Sequence, residues 1–156
     1  MRKEIREILG GHPFLKEFQP QHMDKLAELA QNAQFERDQI IFRERDASSF
    51  FYLIVSGKVA LEVTALGRTL RVQTISDGEA LGWSSVLPSE GKYFQARAMG
   101  AVKALVFDGA RLREACEQDC ALGYAFMERL LWLVATRLQA TRVQLLDMYS
   151  VPPKEA

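Results

Sequence analysis

The spacing of apolar residues changes twice along the chain, and each change predicts a different kind of secondary structure. In the N-terminal part, apolar residues follow Pro20 at helical spacing: Met23, Leu26, Leu29 and Ala30. This spacing predicts a helix over residues 21–33, and a helix is also expected over residues 2–9. The two histidines of the chain, His12 and His22, stand in polar stretches of this part, and we expect both at the surface.

From Phe35 onwards, short runs rich in Val, Ile, Phe and Tyr replace the helical spacing. They read QIIF, FFYLIVS, KVALEVT, TLRVQTI, YFQARA and KALVF, and residues typical of turns separate them. Such runs predict short β-strands. Because no helical pattern lies between them, we expect an antiparallel sandwich or roll.

After Phe107 the pattern is helical again as far as about Tyr149. A short helix is expected first, and Asp119 is a typical N-cap for a second helix on the order of 45 Å long at ~1.5 Å per residue. The sequence therefore predicts one α+β domain. Its parts are N-terminal helices over 1–33, an antiparallel, jelly-roll-like β-roll over 34–108 and C-terminal helices over 109–149, within a single domain over 1–156.

One stripe of the predicted long helix has spacings of alternately three and four residues. This stripe, called the seam below, consists of Tyr124, Met127, Leu131, Val134, Leu138, Thr141, Leu145 and Met148. Heptad spacing is typical of two helices that pack along their length, so we expect a parallel homodimer. The expected interface residues are Met127, Leu131, Val134, Leu138 and Leu145. The alternative is a wide amphipathic helix that lies on its own domain.

A second apolar stripe of the same helix is free to face the β-roll. It consists of Phe126, Leu130, Leu133 and Leu146. Thr141 is the polar residue in the middle of the seam, where a polar side chain lowers the stability of a helix pair. It therefore either fixes the register of the two helices or contacts something other than its twin.

Composition narrows the functional class. Twenty basic and twenty acidic side chains cancel, so the chain lacks the positive field that drives binding to duplex DNA. No stretch approaches the roughly 20 apolar residues of a membrane span, and the N-terminus is unlike a signal peptide, so we expect a cytoplasmic protein. Cys116 and Cys120 have no further cysteine or histidine near them, which favours reduced thiols over a metal site. We find no catalytic motif and expect no enzyme.

Four stretches of the chain carry a family resemblance. They are IIFRERDASSFFYLIVSGKVAL in the opening strands, GEALG and ARA at the two ends of residues 78–98, and RLQATRVQLLD on the last helix. Together they resemble the cyclic-nucleotide-binding domain of the catabolite-activator (CRP/FNR) class over nearly the whole chain. The resemblance implies a β-roll with flanking helices, dimerisation through the last helix, and a phosphate-binding segment over residues 78–98, called the cassette below.

The resemblance also implies a ligand site built from the cassette and the last helix. The backbone approaches the cyclic phosphate at Gly82, and Thr141 reaches the base. Trp83 stands where the family has an acid for the ribose hydroxyl. Lys92 stands where the family has a phosphate-binding arginine, and Tyr93 replaces a small hydroxyl residue next to it.

The predicted ligand-binding residues are therefore Leu81, Gly82, Trp83, Ser84, Ser85, Lys92, Tyr93 and Thr141. A charge-assisted hydrogen bond contributes roughly 1.5–3 kcal/mol, so the loss of two weakens nucleotide binding by about two to four decades. Ser84, Ser85 and Lys92 still provide donors and a charge for an anion. In the opening turn, Arg45 stands where the family usually has glycine.

Two functional hypotheses follow from these substitutions. In the first, the chain is a stand-alone, non-enzymatic sensor that binds cAMP or cGMP weakly, or another small anionic ligand, and signals through its dimer helix to a partner protein. In the second, it is a ligand-free dimeric interaction scaffold whose pocket is closed by Trp83. The segment MYSVPPKEA after Asp147 is too short for the family's helix-turn-helix domain and the net charge is zero, so we expect no DNA binding. Because no stretch is long and apolar enough for a membrane span, we also expect no membrane contact.

Overall fold

Along the chain, helices precede and follow the strands, in the order that the sequence predicts. The computed structural model describes residues 2–46, 49–87 and 94–150. Its helices are α1 (Arg2–Gly11), α2 (Pro20–Leu29), α3 (Gly109–Gln118) and α4 (Cys120–Tyr149), with 3₁₀ helices at Pro13–Leu15 and Trp83–Val86. Its strands are β1 (Gln31–Phe35), β2 (Ile40–Phe42), β3 (Phe50–Ser56), β4 (Val59–Ala65), β5 (Arg68–Ile75), β6 (Ala80–Leu81), β7 (Gln95–Ala98) and β8 (Val102–Asp108).

The strands of the described ranges form two antiparallel sheets. Their orders are β1-β8-β3-β6 and β2-β7-β4-β5. β6, which begins the cassette, pairs with β3 at the edge of the first sheet, whereas β7, which ends the cassette, lies between β2 and β4 in the second. The cassette therefore crosses from one sheet to the other. The predicted α+β fold with an antiparallel β-roll is confirmed.

Two apolar clusters hold these layers together. One lies between the two sheets and includes Ile54, Val59 and Leu61. The other joins the helices to the first sheet, and its centre is formed by the rings of Phe14, Phe51 and Phe126, whose centroids are 5.3 to 5.9 Å apart. Burial of these rings fixes the segment before α2 and the first half of α4 on β3.

The end of α2 differs from the sequence prediction. The helix stops at Leu29, and Gln31–Phe35 is strand β1 rather than more helix. β1 pairs antiparallel with β8, with Gln31 opposite Val106. The sequence QNAQF contains no β-branched residue, so its own propensity does not reveal a strand, and the pairing with β8 decides its conformation.

Both histidines are buried, so the prediction that they lie at the surface is wrong. His12 Nε2 donates to the Ile54 carbonyl at 2.8 Å, and its Nδ1 accepts the Phe14 N–H at 3.2 Å. His22 is buried on α2, with its Nε2 3.8 Å from Asp119 Oδ2. The polar neighbours of both residues conceal how closely the N-terminal helices pack on the rest of the fold.

α4 begins as predicted and buries one stripe. Asp119 caps it by accepting the Ala121 and Leu122 N–H groups at 3.1 and 3.2 Å. The predicted roll-facing residues Phe126, Leu130 and Leu133 are buried. Leu146 is 58 % exposed, so its assignment to this stripe is wrong, because residues 138–149 of α4 are exposed throughout.

The seam is exposed along α4, apart from the half-buried Val134. Leu131 and Leu138 are 71 % and 68 % exposed, and Leu145 is 51 % exposed. The roll of the same chain therefore does not cover this stripe. The participation of the seam in a dimer stays a prediction.

Candidate functional site

The cassette begins with a tight turn after β5, and a glycine in the left-handed conformation precedes its short helix. The Glu79 carboxylate accepts the Ser76 N–H at 2.8 Å, which closes the turn before β6. Leu81 of β6 is fully buried. Gly82 has a φ of 83°, a left-handed conformation that costs a residue with a Cβ about 1–2 kcal/mol, and Trp83–Val86 follow as a 3₁₀ helix.

Side chains almost fill the space at the cassette where the resemblance implies a ligand. The cavity there, called the cassette cavity below, has a volume of about 20 Å³, which is room for a single water molecule. The rings of Phe42, Trp83 and Phe94 line it together with Leu61 and Leu81. The described side chains therefore leave no room for a nucleotide in this cavity.

Trp83 and the two serines have different neighbours. Trp83 is half-buried and packs against the apolar cluster that joins the helices to the first sheet. Ser84 is buried and lines the cassette cavity. Ser85 is buried against the start of α3, where a Cβ built on Gly109 would lie 2.7 Å from the Ser85 Cβ. Of the two serines, Ser84 is thus the one that faces the cavity.

Of the remaining predicted site residues, only Thr141 is described, and it does not line the cassette cavity. Lys92 and Tyr93 lie outside the described residues. Thr141 is exposed on α4, where its Oγ1 donates to the Arg137 carbonyl at 3.0 Å and accepts from Gln73 Nε2 at 3.4 Å. Its assignment to the ligand site stays a prediction, and so do those of the cassette residues.

Arg137 of α4 reaches the cassette, although the sequence analysis did not select it. Its Nη2 donates to the Ala80 carbonyl at the start of β6. Its Nε is shielded from solvent and has no hydrogen-bond partner within the described part of the chain. The signal for this residue was available, because Arg137 follows Leu130 and Leu133 at helical spacing on the stripe that faces the roll.

The electrostatic environment of Arg137 favours an anion. Burial lowers the pKa of Arg137 to about 10, and the Glu79 carboxylate opposes this fall. The guanidinium therefore remains charged at neutral pH. A buried charged donor without a partner is costly, and an anion that approached it would remove part of that cost.

Arg137 also lines a second and much larger cavity. This groove, called the α4–β5 groove below, has a volume of about 370 Å³ and lies between α4 and the segment from β5 to β6. α4 contributes Trp132, Leu133 and Thr136 to its walls, and β5 contributes Ile75. The volume lies within the range of about 300–1,000 Å³ typical of small-molecule sites.

Hydrogen bonds join α4 to β5 and to the segment before α2, both of which line the groove. Gln73 of β5 donates to the Arg137 carbonyl at 3.1 Å, and Gln144 donates to the Val72 carbonyl. At the other end, Arg129 Nε donates to the Phe14 carbonyl at 2.7 Å. The guanidinium of Arg129 also lies over the Trp132 ring, 4.7 Å from its centroid. The position of α4 is therefore tied directly to the walls of the groove.

The described residues give no indication of a metal site or a membrane span. Among them, no group of three or more His, Cys, Asp or Glu side chains is arranged to hold a metal ion. Cys116 is buried and Cys120 is exposed, and both are free cysteines. No described helix is sufficiently long and apolar to cross a membrane.

Comparison with known proteins adds a family and several similar folds. A family model described as the cyclic nucleotide-binding domain matches residues 33–119. No curated protein matches the chain. Among solved structures, a cyclic nucleotide-binding domain from Methylobacillus flagellatus KT is 19 % identical with a TM-score of 0.81, and the match covers 97 % of this chain and 86 % of that one.

Two further structures have similar folds. A protein of Geobacter metallireducens GS-15, provisionally described as cyclic nucleotide-binding, is 25 % identical with a TM-score of 0.73, and the match covers 88 % of this chain and 97 % of that one. The regulatory subunit of a cAMP-independent protein kinase A from Trypanosoma brucei is 18 % identical with a TM-score of 0.73. That match covers 94 % of this chain and 49 % of the subunit, so the chain spans about half the subunit's length.

Proposed function

Because the chain belongs to the cyclic nucleotide-binding domain family, we propose that it is a regulatory domain that responds to a small anionic ligand and signals through α4, as a homodimer, to a partner protein. Domains of this family are generally regulatory rather than catalytic, and no enzymatic activity is indicated here. The observation that carries the proposal is the bond from Arg137 of α4 to the Ala80 carbonyl. It joins the helix that bears the seam to the cassette.

The coupling requires that α4 be sensitive to what happens at the roll. Arg137 contacts the cassette, and Gln73 of β5 contacts α4 one turn further along, at Thr141. A ligand that moved either contact would shift α4 relative to the roll. A shift of a helix at a subunit interface is a common means of switching an oligomer.

The expected oligomer is a dimer through the seam. Its apolar residues are exposed on a single chain, and a contiguous exposed apolar stripe marks an interaction surface. The heptad spacing favours a second copy of α4 as the partner. Each protomer of the dimer would then report the state of its own roll to the same pair of helices.

Cyclic nucleotides are expected to bind weakly. The cassette cavity holds about 20 Å³, and Trp83 packs into the core where the family resemblance implies an acid. We therefore place cAMP and cGMP in the millimolar range, as ligands that must first displace packed side chains.

A ligand-free scaffold is the second candidate, and the small volume of the cassette cavity favours it. In this alternative Trp83 is a core residue, and the roll serves to present the seam of a dimer. The two candidates differ in one property. The sensor changes its stability or its oligomer when an anionic ligand is added, whereas the scaffold does not.

Light scattering tests the dimer. Leu138→Glu places a charge in the middle of the seam and is expected to give a monomer, because a buried charge in a helix pair is strongly destabilising. Gln139→Glu adds a charge on the next residue of the same helix and is expected to leave the dimer intact. An unchanged mass for Leu138→Glu, or a monomeric parent protein, contradicts dimerisation through the seam.

Thermal melts with and without nucleotide test the ligand. A ligand at 100 times its Kd adds roughly 2.7 kcal/mol and raises the melting temperature of a domain of this size by several degrees. With cAMP or cGMP at about 1 mM, close to the expected Kd, the gain is only about 0.4 kcal/mol and the rise is about 1–2 °C. A rise of several degrees contradicts weak binding of these nucleotides.

A further inference from the structure

We propose that the α4–β5 groove is a ligand site of this protein, and that it takes a small organic monoanion with an apolar body, such as an aromatic or aliphatic carboxylate, whose acid group pairs with Arg137. This inference rests on the proposed regulatory function and names the site and the class of ligand. It separates the ligand site from the cassette cavity, which holds about 20 Å³ against about 370 Å³ for the groove.

The charges of the groove indicate a monoanion. Among the described residues that line it, the charged ones are Arg129, Arg137 and Glu79, so two positive charges and one negative charge leave a net charge of +1. Arg129 already donates to the Phe14 carbonyl. Arg137 retains a buried Nε that has no partner among the described residues, which makes Arg137 the donor for an incoming acid group.

The walls of the groove indicate an apolar body. Phe14, Ile75, Leu133 and the ring of Trp132 line it, with the Thr136 side chain as a polar neighbour. Trp132 is 54 % exposed, and its ring provides a flat surface for a planar or aliphatic ligand. Small-molecule sites are usually lined by apolar side chains with a few polar or charged groups that fix the orientation of the ligand, and the groove has this composition.

The groove remains accessible in the expected dimer. Thr136 and Ala140 line the groove, and each is two residues from Leu138 of the seam. At 3.6 residues per turn, two residues correspond to about 200° around the helix. A second copy of α4 on the seam therefore lies on the opposite side of the helix from Thr136, whereas Arg137 is about 100° from Leu138, at the edge of the groove nearer the seam.

A ligand in the groove would contact both parts whose relative position defines the signal. α4 and β5 form its walls, and Arg137 at the ligand also holds the Ala80 carbonyl of the cassette. An acid group on Arg137 competes for the same guanidinium. Binding in the groove thereby changes the contact between α4 and the cassette without entering the cassette cavity.

The fluorescence of Trp132 provides a local test. The chain has two tryptophans, so Trp83→Phe leaves Trp132 as the single reporter, inside the groove wall. This protein is titrated with 4-phenylbutyrate, with hexanoate, and with the uncharged 4-phenylbutyramide. We expect a saturable change with the two acids, and a roughly tenfold weaker response to the amide because it lacks the charge that pairs with Arg137.

Variants assign the response to Arg137. Arg137→Met in the Trp83→Phe protein is expected to weaken 4-phenylbutyrate binding by roughly tenfold to a hundredfold. Glu79→Gln removes the opposing carboxylate and is expected to strengthen binding severalfold. Arg68→Met removes an exposed arginine at the hairpin end of β5, outside the groove, and is the matched control that leaves binding unchanged. If Arg137→Met does not fold, the Glu79→Gln result decides.

Several results overturn the groove site. They are equal binding of acid and amide, unchanged binding in folded Arg137→Met, no gain in Glu79→Gln, or no response to either acid at about 10 mM, tenfold above a millimolar Kd. Light scattering on the same samples separates this failure from that of the proposed function. A dimer without an acid response contradicts the groove alone, whereas a monomer at every concentration contradicts the dimeric regulator.

Discussion

The cassette cavity and the α4–β5 groove, which are both lined by Arg137, differ in volume. The cassette has Gly82 in the left-handed region and a 3₁₀ helix after it, yet the cassette cavity holds only about 20 Å³. The α4–β5 groove follows no sequence motif and holds about 370 Å³. The backbone path and the binding volume are therefore separate properties, because rings such as Trp83 can fill the space that a loop encloses.

Two tryptophans make this contrast measurable, and the largest effect is expected at the cassette. Trp83→Ala should lower the free energy of unfolding by about 2–3 kcal/mol, less than a fully buried aromatic, because Trp83 is half-buried in the core. Trp132→Ala in the groove wall should cost only about 0.5–1 kcal/mol, mainly the contact with Arg129. Denaturant melts measure both changes. Equal losses would contradict the description of one cavity as packed and the other as open.

The backbone of the cassette is expected to show the next largest effect. Gly82→Ala should lower the free energy of unfolding by about 1–2 kcal/mol, because alanine at a φ of 83° is strained. Gly100→Ala is a control, since a Cβ there meets nothing within 4 Å. Urea unfolding curves for the two variants give the difference. A Gly82→Ala protein as stable as the parent would mean that the cassette backbone can relax.

The free energy of unfolding is expected to depend on pH through His12, which is hydrogen-bonded to Phe14 of the groove wall. His12 Nδ1 accepts the Phe14 N–H, and burial lowers the pKa of His12 despite its hydrogen bond to the Ile54 carbonyl. A lowered pKa means that the unfolded chain binds the proton more readily, so this stability is present above about pH 6.5 and is lost as pH falls below it. The loss is at most about 1.4 kcal/mol per pH unit.

Urea melts at pH 7.5 and pH 5.5 measure this loss. In His12→Asn, the side-chain oxygen can still accept the Phe14 N–H but cannot titrate, so the variant should lose less stability on acidification than the parent. An identical pH dependence of the free energy of unfolding in parent and variant would show that protonation of His12 does not cause the loss of stability.

The smallest effect is expected at the turn after β2, whose Phe42 lines the cassette cavity. Arg45 has a φ of 67°, the conformation for which glycine is suited, and the family resemblance places a glycine there. Arg45→Gly should therefore raise the free energy of unfolding by about 0.5–1 kcal/mol. Arg43→Gly, in the same turn without a left-handed φ, should not stabilise. A loss of stability in Arg45→Gly would indicate that the arginine makes a compensating contact.

The sequence predicted most of the architecture because local rules agree with the fold. The runs of Val, Ile, Phe and Tyr became strands, and Asp119 caps α4 at the predicted residue. The helical spacing placed Phe126, Leu130 and Leu133 on the buried stripe of α4. These properties depend on residues a few positions apart, so the order of residues suffices to infer them.

Distant contacts decided the features that the sequence misassigned. β1 is a strand because β8 pairs with it, and the two histidines are buried because the N-terminal helices pack on the fold. Leu146 is exposed because the last turns of α4 extend beyond the roll. None of these follows from local spacing, since each depends on segments far apart in the chain.

The candidate site also has features that the sequence predicted and features that only the tertiary structure shows. The family resemblance alone placed Gly82 where the backbone approaches the phosphate, and Trp83 where the family has an acid. Only the tertiary structure showed that packed rings fill the cassette cavity, and that Arg137 lies at the junction of this cavity with an open groove. A cavity is the volume left by side chains from several distant elements, so its size and its charge become defined only when those elements are packed together.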